Sequence, residues 1–429
     1  MSTTPVTATA HRRIVTLAAL TPVHRAFHWL HLHQPQLRQW LLESVAIPAP
    51  PFGEGARAAW FGERFTSLGL TGVHIDEEGN VLGERTCASA DPGSGVLLLS
   101  AHLDTVFPAG TDCTPTDDGT RLHAPGICDN GAGLTALLAM AAALDFARIA
   151  PSTSMLFAAN VGEEGEGDLR GMRHLFERGA YRDRIAASIA LEGGGSSTVV
   201  TRGLGSLRLR VTVTGPGGHS WTDAGAPNPI LLLSRALVDV SAVPLPSQPR
   251  TTLNAGQISG GTSINSIPES ATVLLDLRST HPAQMRASAA EVFASMRQTI
   301  DAANAENASR PPARITIETI GERPAAALPD DSPLLETVRA VDRHLGLRTE
   351  TRIGSTDANL PMSLRIPAIA LGGGGAGGGI HTLREWYDPA GRESALRRVL
   401  LIVLDTAERI ADQTLAPARE SAALSALHP

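Results

Sequence analysis

The stretch GVLLLSAHLDTVF, residues 95–107, joins an unbroken apolar run to a histidine and an aspartate. A short continuous run of Val and Leu is typical of a strand buried on both faces, as in a parallel sheet covered by helices. Residues two apart in a strand point to the same side, so His102 and Asp104 project together where the strand ends. The stretch therefore predicts an α/β fold whose sheet carries polar groups at one edge.

The alternation of strand and helix continues on both sides of this stretch. Helices are predicted at 35–46, 53–68 and 131–147, and strands at 72–75, 95–103, 153–161 and 186–191. After residue 330 the pattern resumes with helices at 332–345 and 391–413 and a strand at 366–371. Strands that alternate with helices indicate a mainly parallel central sheet covered on both faces.

The residues between these two regions have a different pattern of polar and apolar side chains. SLRLRVTVTG, residues 206–215, alternates polar and apolar side chains as a half-exposed strand does. A helix at 227–240, strands at 250–259 and 269–279, a helix at 282–304 and a strand at 313–319 follow it. This β-α-β-β-α-β order is that of a ferredoxin-like α+β unit. We therefore expect an N-terminal extension at 1–34, a discontinuous larger domain at 35–205 and 323–415, and an inserted domain at 206–322.

Length and composition fit an ordinary globular protein of more than one domain. The chain has 429 residues and a formal net charge of −7, which argues against a nucleic-acid partner or an anionic membrane surface. The three cysteines form no disulfide pattern, and the segment Met1–Arg13 is too polar for a signal peptide. Because no stretch is apolar enough to span a membrane, we expect a cytoplasmic protein.

Acidic and histidine residues end several of the predicted strands and tight loops. They are Asp129 in APGICDNGAG, Glu163 and Glu164 in SMLFAANVGEEGEGD, Glu192 in ASIALEGGG, and His381 in IHTLREWYD. One acidic residue at a strand end is usually a helix cap or a solvated turn. These four places, together with the end of the strand at 95–103, are different, because the carboxyl ends of strands in an open α/β sheet meet in one crevice.

The chemistry of these side chains points to metal ions. Two histidines and several carboxylates gathered in one crevice would repel one another unless something positive were bound. Imidazole and carboxylate are ligands of Zn²⁺, and two ions about 3.5–4 Å apart form a hydrolytic centre. On this interpretation His102 is a ligand and Asp104 orients its ring from behind. Co²⁺ or Mn²⁺ can occupy the same nitrogen and oxygen donors.

Seven spaced motifs carry a resemblance to a known family. They are SAHLDTV, GICDNGAG, GEEGEGDLRG, LEGG, GPGGHS, GGTSINSIPESATVLLDLR and IHTLREWYD. With these motifs the chain resembles the dinuclear zinc exopeptidases and amidohydrolases that include carboxypeptidase G, peptidase T, aminoacylase and succinyl-diaminopimelate desuccinylase. The resemblance spans roughly residues 35 to 410. It implies a zinc-exopeptidase-like catalytic domain, an inserted lid and dimerisation domain, two Zn²⁺ ions per subunit and a homodimer.

The resemblance also implies roles for individual residues. Asp129 would bridge the two ions, His102 and Glu192 would hold one of them, and Glu164 and His381 would hold the other. Glu163, immediately before a ligand, would be the general base that takes a proton from the metal-activated water and passes it to the leaving amine.

Three residues of the inserted domain receive roles in the same way. In similar dimeric enzymes the histidine at His219 reaches the partner subunit's active site and stabilises the oxyanion, although a plain turn histidine is the alternative. Asn265 and Arg278 align with residues that grip a substrate carboxylate. For Arg278, an ion pair with Asp276 or Glu269 is an equally good interpretation.

These observations predict a metal-dependent hydrolase of amide bonds. GEEGEGDLRG, and GSTDANLP followed by IHTLREWYD, favour a di- or tripeptidase similar to peptidase T. An N-acyl-amino-acid deacylase or desuccinylase is the alternative, and its substrate would be an N-acyl amino acid. A catalytically silent binding protein on the same scaffold is disfavoured, because all the ligand and base positions are filled.

Three further features lie outside this assignment. Cys128 places a thiol beside Asp129, either as a packed small residue or as a group that influences the metals. The glycine-rich run 372–379 either lets the backbone approach the substrate or forms a flexible loop. His24 and His28 are four residues apart on one helix face, but without an acidic residue nearby in the sequence an ordinary helix is favoured over a metal site.

Overall fold

The computed structural model describes residues 7–89 and 93–415, so the segment Met1–Arg13 is described only from residue 7. The chain divides into two units, Met1–Gly203 with Ala327–Pro429, and Leu204–Ala326. The second unit is the inserted one, and it starts two residues before and ends four residues after the expected 206–322.

Eleven α-helices and nineteen strands are described. The helices are α1 (Ala8–Ala18), α2 (Thr21–Leu32), α3 (Gln34–Val45), α4 (Gly55–Ser67), α5 (Gly131–Phe146), α6 (Arg170–Glu177), α7 (Pro229–Ser241), α8 (Pro282–Glu306), α9 (Pro333–His344), α10 (Asn359–Ser363) and α11 (Arg392–Ala411). The strands are β1 (Thr71–Ile75), β2 (Val81–Arg85), β3 (Val96–His102), β4 (Thr116–Asp117), β5 (Leu122–His123), β6 (Met155–Asn160), β7 (Ile185–Leu191), β8 (Thr198–Gly203), β9 (Gly205–Thr214), β10 (Gly218–His219), β11 (Thr251–Gly260), β12 (Ser266–Ile267), β13 (Ser270–Ser279), β14 (Arg314–Arg323), β15 (Ala326–Ala327), β16 (Glu350–Gly354), β17 (Ala368–Leu371), β18 (Ala376–Gly378) and β19 (Trp386–Asp388).

The first unit is built on a nine-stranded sheet of order β1-β2-β6-β3-β7-β17-β8-β15, with β16 paired to β8. Its centre, β6-β3-β7-β17, is parallel, and antiparallel strands flank that centre. The predicted α/β fold with a mainly parallel central sheet is confirmed. The pattern missed β8 and β16, because short strands of mixed polarity lack a clear period.

Helices cover both faces of this sheet, which explains why β3 is apolar throughout. On one face Val96 and Leu98 pack with Met172 and Leu175 of α6. On the other face α5 and α11 contact β3. Helix α5 is rich in Ala and Leu and is buried on all sides, because α2 and α3 cover its outer surface.

The N-terminal extension forms two helices of the first unit. Helix α1 contacts α9 and α11, and Arg13 forms an ion pair with the buried Asp405 of α11. Helix α2 contacts α5 and α11. These segments therefore help to cover the core rather than stand apart from it.

The second unit is a four-stranded antiparallel sheet with two helices. The strand order β11-β13-β9-β14 is that of a ferredoxin-like fold. Leu209, Val211 and Val213 alternate along β9 and pack in one core cluster with residues of α7 and α8.

Among the described residues, no helix combines the length and the apolar character needed to cross a membrane.

Candidate metal centre

The predicted ligands gather at the carboxyl-terminal edge of the central sheet. His102 ends β3, Asp129 lies two residues before α5, Glu163 and Glu164 follow β6, Glu192 follows β7, and His381 follows β18. Because β6, β3 and β7 are parallel neighbours, the loops that follow them leave the sheet at the same edge.

Asp129 lies between the two histidines. Its Oδ1 is 3.1 Å from Nε2 of His102, and its Oδ2 is 3.2 Å from Nε2 of His381. The two oxygens of one carboxylate therefore face two different imidazoles. This is the arrangement of a carboxylate that can bridge two metal ions.

Two more carboxylates complete the groups around Asp129. Oε1 of Glu192 is 3.5 Å from Nε2 of His102, and Oε1 of Glu164 is 2.9 Å from Nε2 of His381. In each resulting triplet, the possible ligand atoms lie within 4.8 Å of one another. The structure thus brings together all five predicted ligands in the predicted pairs, and their binding of metal stays a prediction.

Glu163 lies at the same place. It is buried, and it forms a further cluster with His102 and Glu164 whose possible ligand atoms are also within 4.8 Å. A carboxylate in this position can exchange a proton with a water held between the two ligand triplets.

Asp104 contacts its neighbours differently from the expectation. Nδ1 of His102 donates to the backbone carbonyl oxygen of Asp104 at 3.0 Å, whereas the Asp104 carboxylate lies 3.6 Å away. In the neutral ring, that donation leaves Nε2 of His102 without a proton and able to bind a metal. The carboxylate instead accepts the backbone N–H groups of Glu163 at 3.0 Å and Glu164 at 2.7 Å. Asp104 therefore fixes the loop after β6 as well as the His102 ring.

The close approach of histidines and carboxylates shifts the pKa values of these groups. Hydrogen bonds with Asp129 and Glu164 raise the pKa of His381 to about 10. Burial lowers the pKa of His102, but hydrogen bonds with nearby carboxylates outweigh it and hold that pKa well above its usual value. Burial raises the pKa of Glu192 to about 7. In the metal-free protein, the histidines hold protons that a metal ion would replace.

The residues fit a pair of divalent ions. Oε2 of Glu192 is buried and has no hydrogen-bond partner among the described residues, so it is available to bind a cation. Imidazole nitrogen and carboxylate oxygen are the donors that zinc and similar ions prefer. His102, Asp129, Glu164, Glu192 and His381 would hold the pair.

A further residue of this centre was not predicted from the sequence. Glu385, immediately before β19, is buried, and its carboxylate accepts three backbone N–H groups, those of Gly126 at 3.0 Å, Cys128 at 2.9 Å and Asp129 at 2.8 Å. It therefore fixes the loop that carries Asp129. Its only signal in the sequence is its place in the IHTLREWYD motif, four residues after His381.

Several glycines of the glycine-rich run lie close to neighbouring groups. A Cβ at Gly377 would lie 2.2 Å from Sγ of Cys128, and a Cβ at Gly372 would lie 2.5 Å from the carbonyl oxygen of Gly195. Burial raises the pKa of Cys128 to about 12, and its Sγ accepts the N–H of Gly194 at 3.2 Å. Cys128 is thus a neutral packed thiol, and the glycines make room for it and for the neighbouring backbone.

Two of the predicted residues in the second unit lie close together. His219 in β10 pairs with Ser266 in β12, and the N–H of Ser220 donates to the carbonyl oxygen of Asn265 at 3.0 Å. Nδ1 of His219 accepts the backbone N–H of Trp221 at 3.1 Å, which leaves the proton on Nε2.

Arg278 lies elsewhere in that unit, on β13. Its Nε donates to the carboxylate of Asp276 at 2.6 Å. The structure thus places Arg278 in the ion pair that was the alternative to substrate binding. Its role in binding a substrate carboxylate stays a prediction.

Residues 98–409 match the model of peptidase family M20/M25/M40. The chain belongs to this family. The predicted membership is confirmed, and the protein is a peptidase or amidohydrolase of a metal-dependent family.

Relatives and solved structures agree with this assignment. The chain is 25% identical to the uncharacterized protein YqjE of Bacillus subtilis over 79% of its length and 90% of the relative's. It is 26% identical to acetylornithine deacetylase of Salmonella arizonae over 67% of its length and 74% of the relative's. A tripeptidase of Staphylococcus aureus has a similar fold, with a TM-score of 0.70, 23% identity, and coverage of 87% of this chain and 98% of that one. YXEP of Bacillus subtilis, a dinuclear metal-binding peptidase of the M20 family, gives a TM-score of 0.64 with 14% identity, covering 87% and 98%.

Proposed function

We propose that this enzyme is a di- or tripeptidase that cleaves the amide bond of small peptides with a metal-activated water. The observation that carries this proposal is the position of Asp129, whose two oxygens face His102 and His381 while Glu163 lies buried beside them. This geometry suits hydrolysis of an amide more than simple binding, because it supplies a base next to a two-metal site.

A pair of divalent ions in this centre would polarise the substrate carbonyl and lower the pKa of the attacking water. Glu163 takes the proton of that water and delivers it to the leaving amine. Asp104 holds the backbone of Glu163 through its hydrogen bond of 3.0 Å, so the base stays in place while it exchanges the proton. We propose zinc as the natural ion, since two imidazoles and three carboxylates form a mixed nitrogen and oxygen donor set.

Free peptides are the proposed substrates. The similar folds of the Staphylococcus aureus tripeptidase and YXEP, a peptidase, support this choice. The similarity to acetylornithine deacetylase favours the second candidate, an N-acyl-amino-acid deacylase or desuccinylase. Both reactions would use the same ligands and the same base.

A hydrolysis screen tests the proposal. The zinc-loaded protein is offered unblocked di- and tripeptides against N-acetyl and N-succinyl amino acids, with Glu163→Gln as the inactive variant. We expect cleavage of free peptides and a fall in kcat of at least about 10²-fold in the variant. Cleavage of acylated amino acids alone would select the second candidate, and full activity of Glu163→Gln would overturn the assignment of the base.

We also propose a homodimer through the inserted unit, in which His219 completes the active site of the partner subunit. Within the part of the chain that the structure describes, β11 is an edge strand whose partner is β13, and Ile258 on it is exposed. Leu231 and Val238 of α7 are exposed as well. Nε2 of His219 carries the proton, which suits the donor of a hydrogen bond to an oxyanion.

Subunit mixing tests this second proposal. His219→Ala and Glu163→Gln proteins are each expected to be nearly inactive. If His219 acts across the dimer, unfolding and refolding the two together restores about a quarter of the native activity, because half of the dimers are mixed and each has one intact site. No recovery from a mixture shown to contain heterodimers would place His219 in the site of its own chain.

The cytoplasm is the proposed compartment. Cys87, Cys113 and Cys128 are all free thiols, as expected where thiols are kept reduced. Activity in fractionated cells that follows a periplasmic or secreted marker would contradict this placement.

A further inference from the structure

A cavity in the first unit is lined by four histidines that the proposed reaction does not use. Three of them, His24, His28 and His31, lie on α2, and His344 lies at the end of α9. The cavity has a volume of about 680 Å³ and is also lined by Phe27 and Arg397.

The spacing of the helix histidines suits a metal ion. Positions three and four apart on a helix are neighbours on one face, so His28 can share an ion with His24 or with His31. All three side chains are exposed, and their rings can therefore turn toward a common ion by rotation about the side-chain torsions. His344, on a different helix, adds an imidazole from another wall of the cavity.

A carboxylate orients one of these rings. Nδ1 of His31 lies 2.9 Å from the Glu393 carboxylate, which leaves Nε2 of that ring for a metal. Arg397, which also lines the cavity, is paired with the same Glu393 at 2.5 Å and lies over the ring of Phe27. Its charge is therefore balanced. The structure thus supplies the acidic neighbour that the local sequence lacks.

We infer that this cavity is an accessory site for a transition-metal ion such as Zn²⁺, Ni²⁺ or Cu²⁺, separate from the centre around Asp129. Imidazole suits these ions better than Mg²⁺ or Ca²⁺, which prefer oxygen ligands. His28 is the shared ligand, with His24 or His31 as the second and His344 as the third. The inference does not depend on the proposed hydrolytic activity.

Metal counting tests this inference. The native protein and the His28→Ala variant are dialysed against the same buffer containing micromolar zinc, and bound zinc is measured by elemental analysis. His74→Ala, which removes an exposed histidine of β1, serves as the matched control. We expect His28→Ala to bind one zinc ion fewer than the native protein, and His74→Ala to bind the same number. Equal zinc content in the native protein and His28→Ala would overturn the inference.

A spectroscopic measurement identifies the ligands. Zinc is first withdrawn by dialysis until the native protein holds as many zinc ions as His28→Ala. One equivalent of Cu²⁺ is then added, and its electron paramagnetic resonance spectrum is recorded. Nitrogen hyperfine splitting that is present in the native protein and lost in His24→Ala/His28→Ala is the expected result. Splitting that persists in the double variant would contradict the site. Peptide hydrolysis by the same variants is expected to be unchanged, so the outcome is independent of the proposed function.

Discussion

The carboxylate of Glu385 accepts the backbone N–H of Asp129 at 2.8 Å. The same carboxylate accepts the N–H groups of Cys128 and Gly126, so three donors of one loop converge on one buried acidic residue. Glu385 also lies four residues after His381. It therefore connects the loop of Asp129, the predicted bridging carboxylate, with the segment that carries His381, a predicted ligand of the second ion.

The substitution Glu385→Gln tests this connection. An amide nitrogen cannot accept a hydrogen bond, so at least one backbone N–H of the Asp129 loop would face another donor, at a cost of about 1–3 kcal/mol. We expect metal affinity or kcat to fall by about 10–100-fold, as for other groups that orient metal ligands. Metal titration measures the affinity, and steady-state kinetics measure kcat. The exposed Glu63→Gln is the control, and native metal affinity and kcat in Glu385→Gln would contradict the role.

Asp104→Asn tests the residue that fixes the backbone of Glu163, the proposed general base. The two oxygens of Asp104 accept N–H groups of Glu163 and Glu164, and an asparagine can replace only one of them. We expect kcat to fall by about 10–100-fold with a small change in KM, because the displaced base acts in the chemical step. The exposed Asp112→Asn is expected to behave like the native enzyme. A change confined to KM would show that Asp104 acts through substrate binding instead.

The sequence predicted the parts of the fold and site that follow from repeated patterns. The apolar run of β3 and the polar residues at strand ends were sufficient to place His102, Asp129 and Glu192 at one edge of a parallel sheet. Family motifs added the pairing of these ligands. The alternation along β9 similarly predicted the separate α+β unit.

Contacts between side chains and backbone groups that are far apart in the sequence were not predicted. Glu385 binds N–H groups more than 250 residues earlier in the chain, and no side-chain pattern encodes such a partner. For Asp104, strand geometry gave the side to which it points, but not that its carboxylate would bind the loop after β6. The acidic neighbour of His31 was missed for the same reason, since Glu393 lies on α11.

Metal affinity is expected to rise with pH. In the metal-free protein the pKa of His381 is raised to about 10 and that of Glu192 to about 7, so both hold protons that bound metal must displace. The raised pKa of His381 stabilises the metal-free fold fully below its unfolded value of 6.5, and this contribution is lost as the pH rises through about 10. The raised pKa of Glu192 likewise stabilises the metal-free fold fully below its unfolded value of 4.5, and this contribution is lost as the pH rises through about 7. The gain in Tm on adding zinc should therefore increase between about pH 6 and pH 8.

Calorimetry checks this prediction directly. Zinc binding measured at pH 7 in buffers of different ionisation enthalpy should show net release of protons. Affinity that stays flat or falls as the pH rises from about 6 to 8 would contradict the raised pKa values of His381 and Glu192.

The stability of the first unit is expected to depend on a buried ion pair between Arg398 and Asp342. Nε and Nη2 of Arg398 on α11 donate to the two oxygens of Asp342 on α9 at 2.5 and 3.0 Å, and both side chains are 1% exposed. Arg398→Met would leave the carboxylate buried without its countercharge. We expect the free energy of unfolding to fall by about 3–5 kcal/mol, measured by urea denaturation.

A double variant separates the loss of the pair from the loss of the arginine. In Arg398→Met/Asp342→Leu no charge is left buried, so we expect recovery of much of the stability lost in Arg398→Met. Arg352→Met removes one side of the exposed pair with Glu350 and should change the unfolding free energy little, because water screens that pair. If the double variant is as unstable as Arg398→Met, then the loss comes from the packing of the Arg398 stem and its contacts with backbone carbonyls, and not from an uncompensated charge at Asp342.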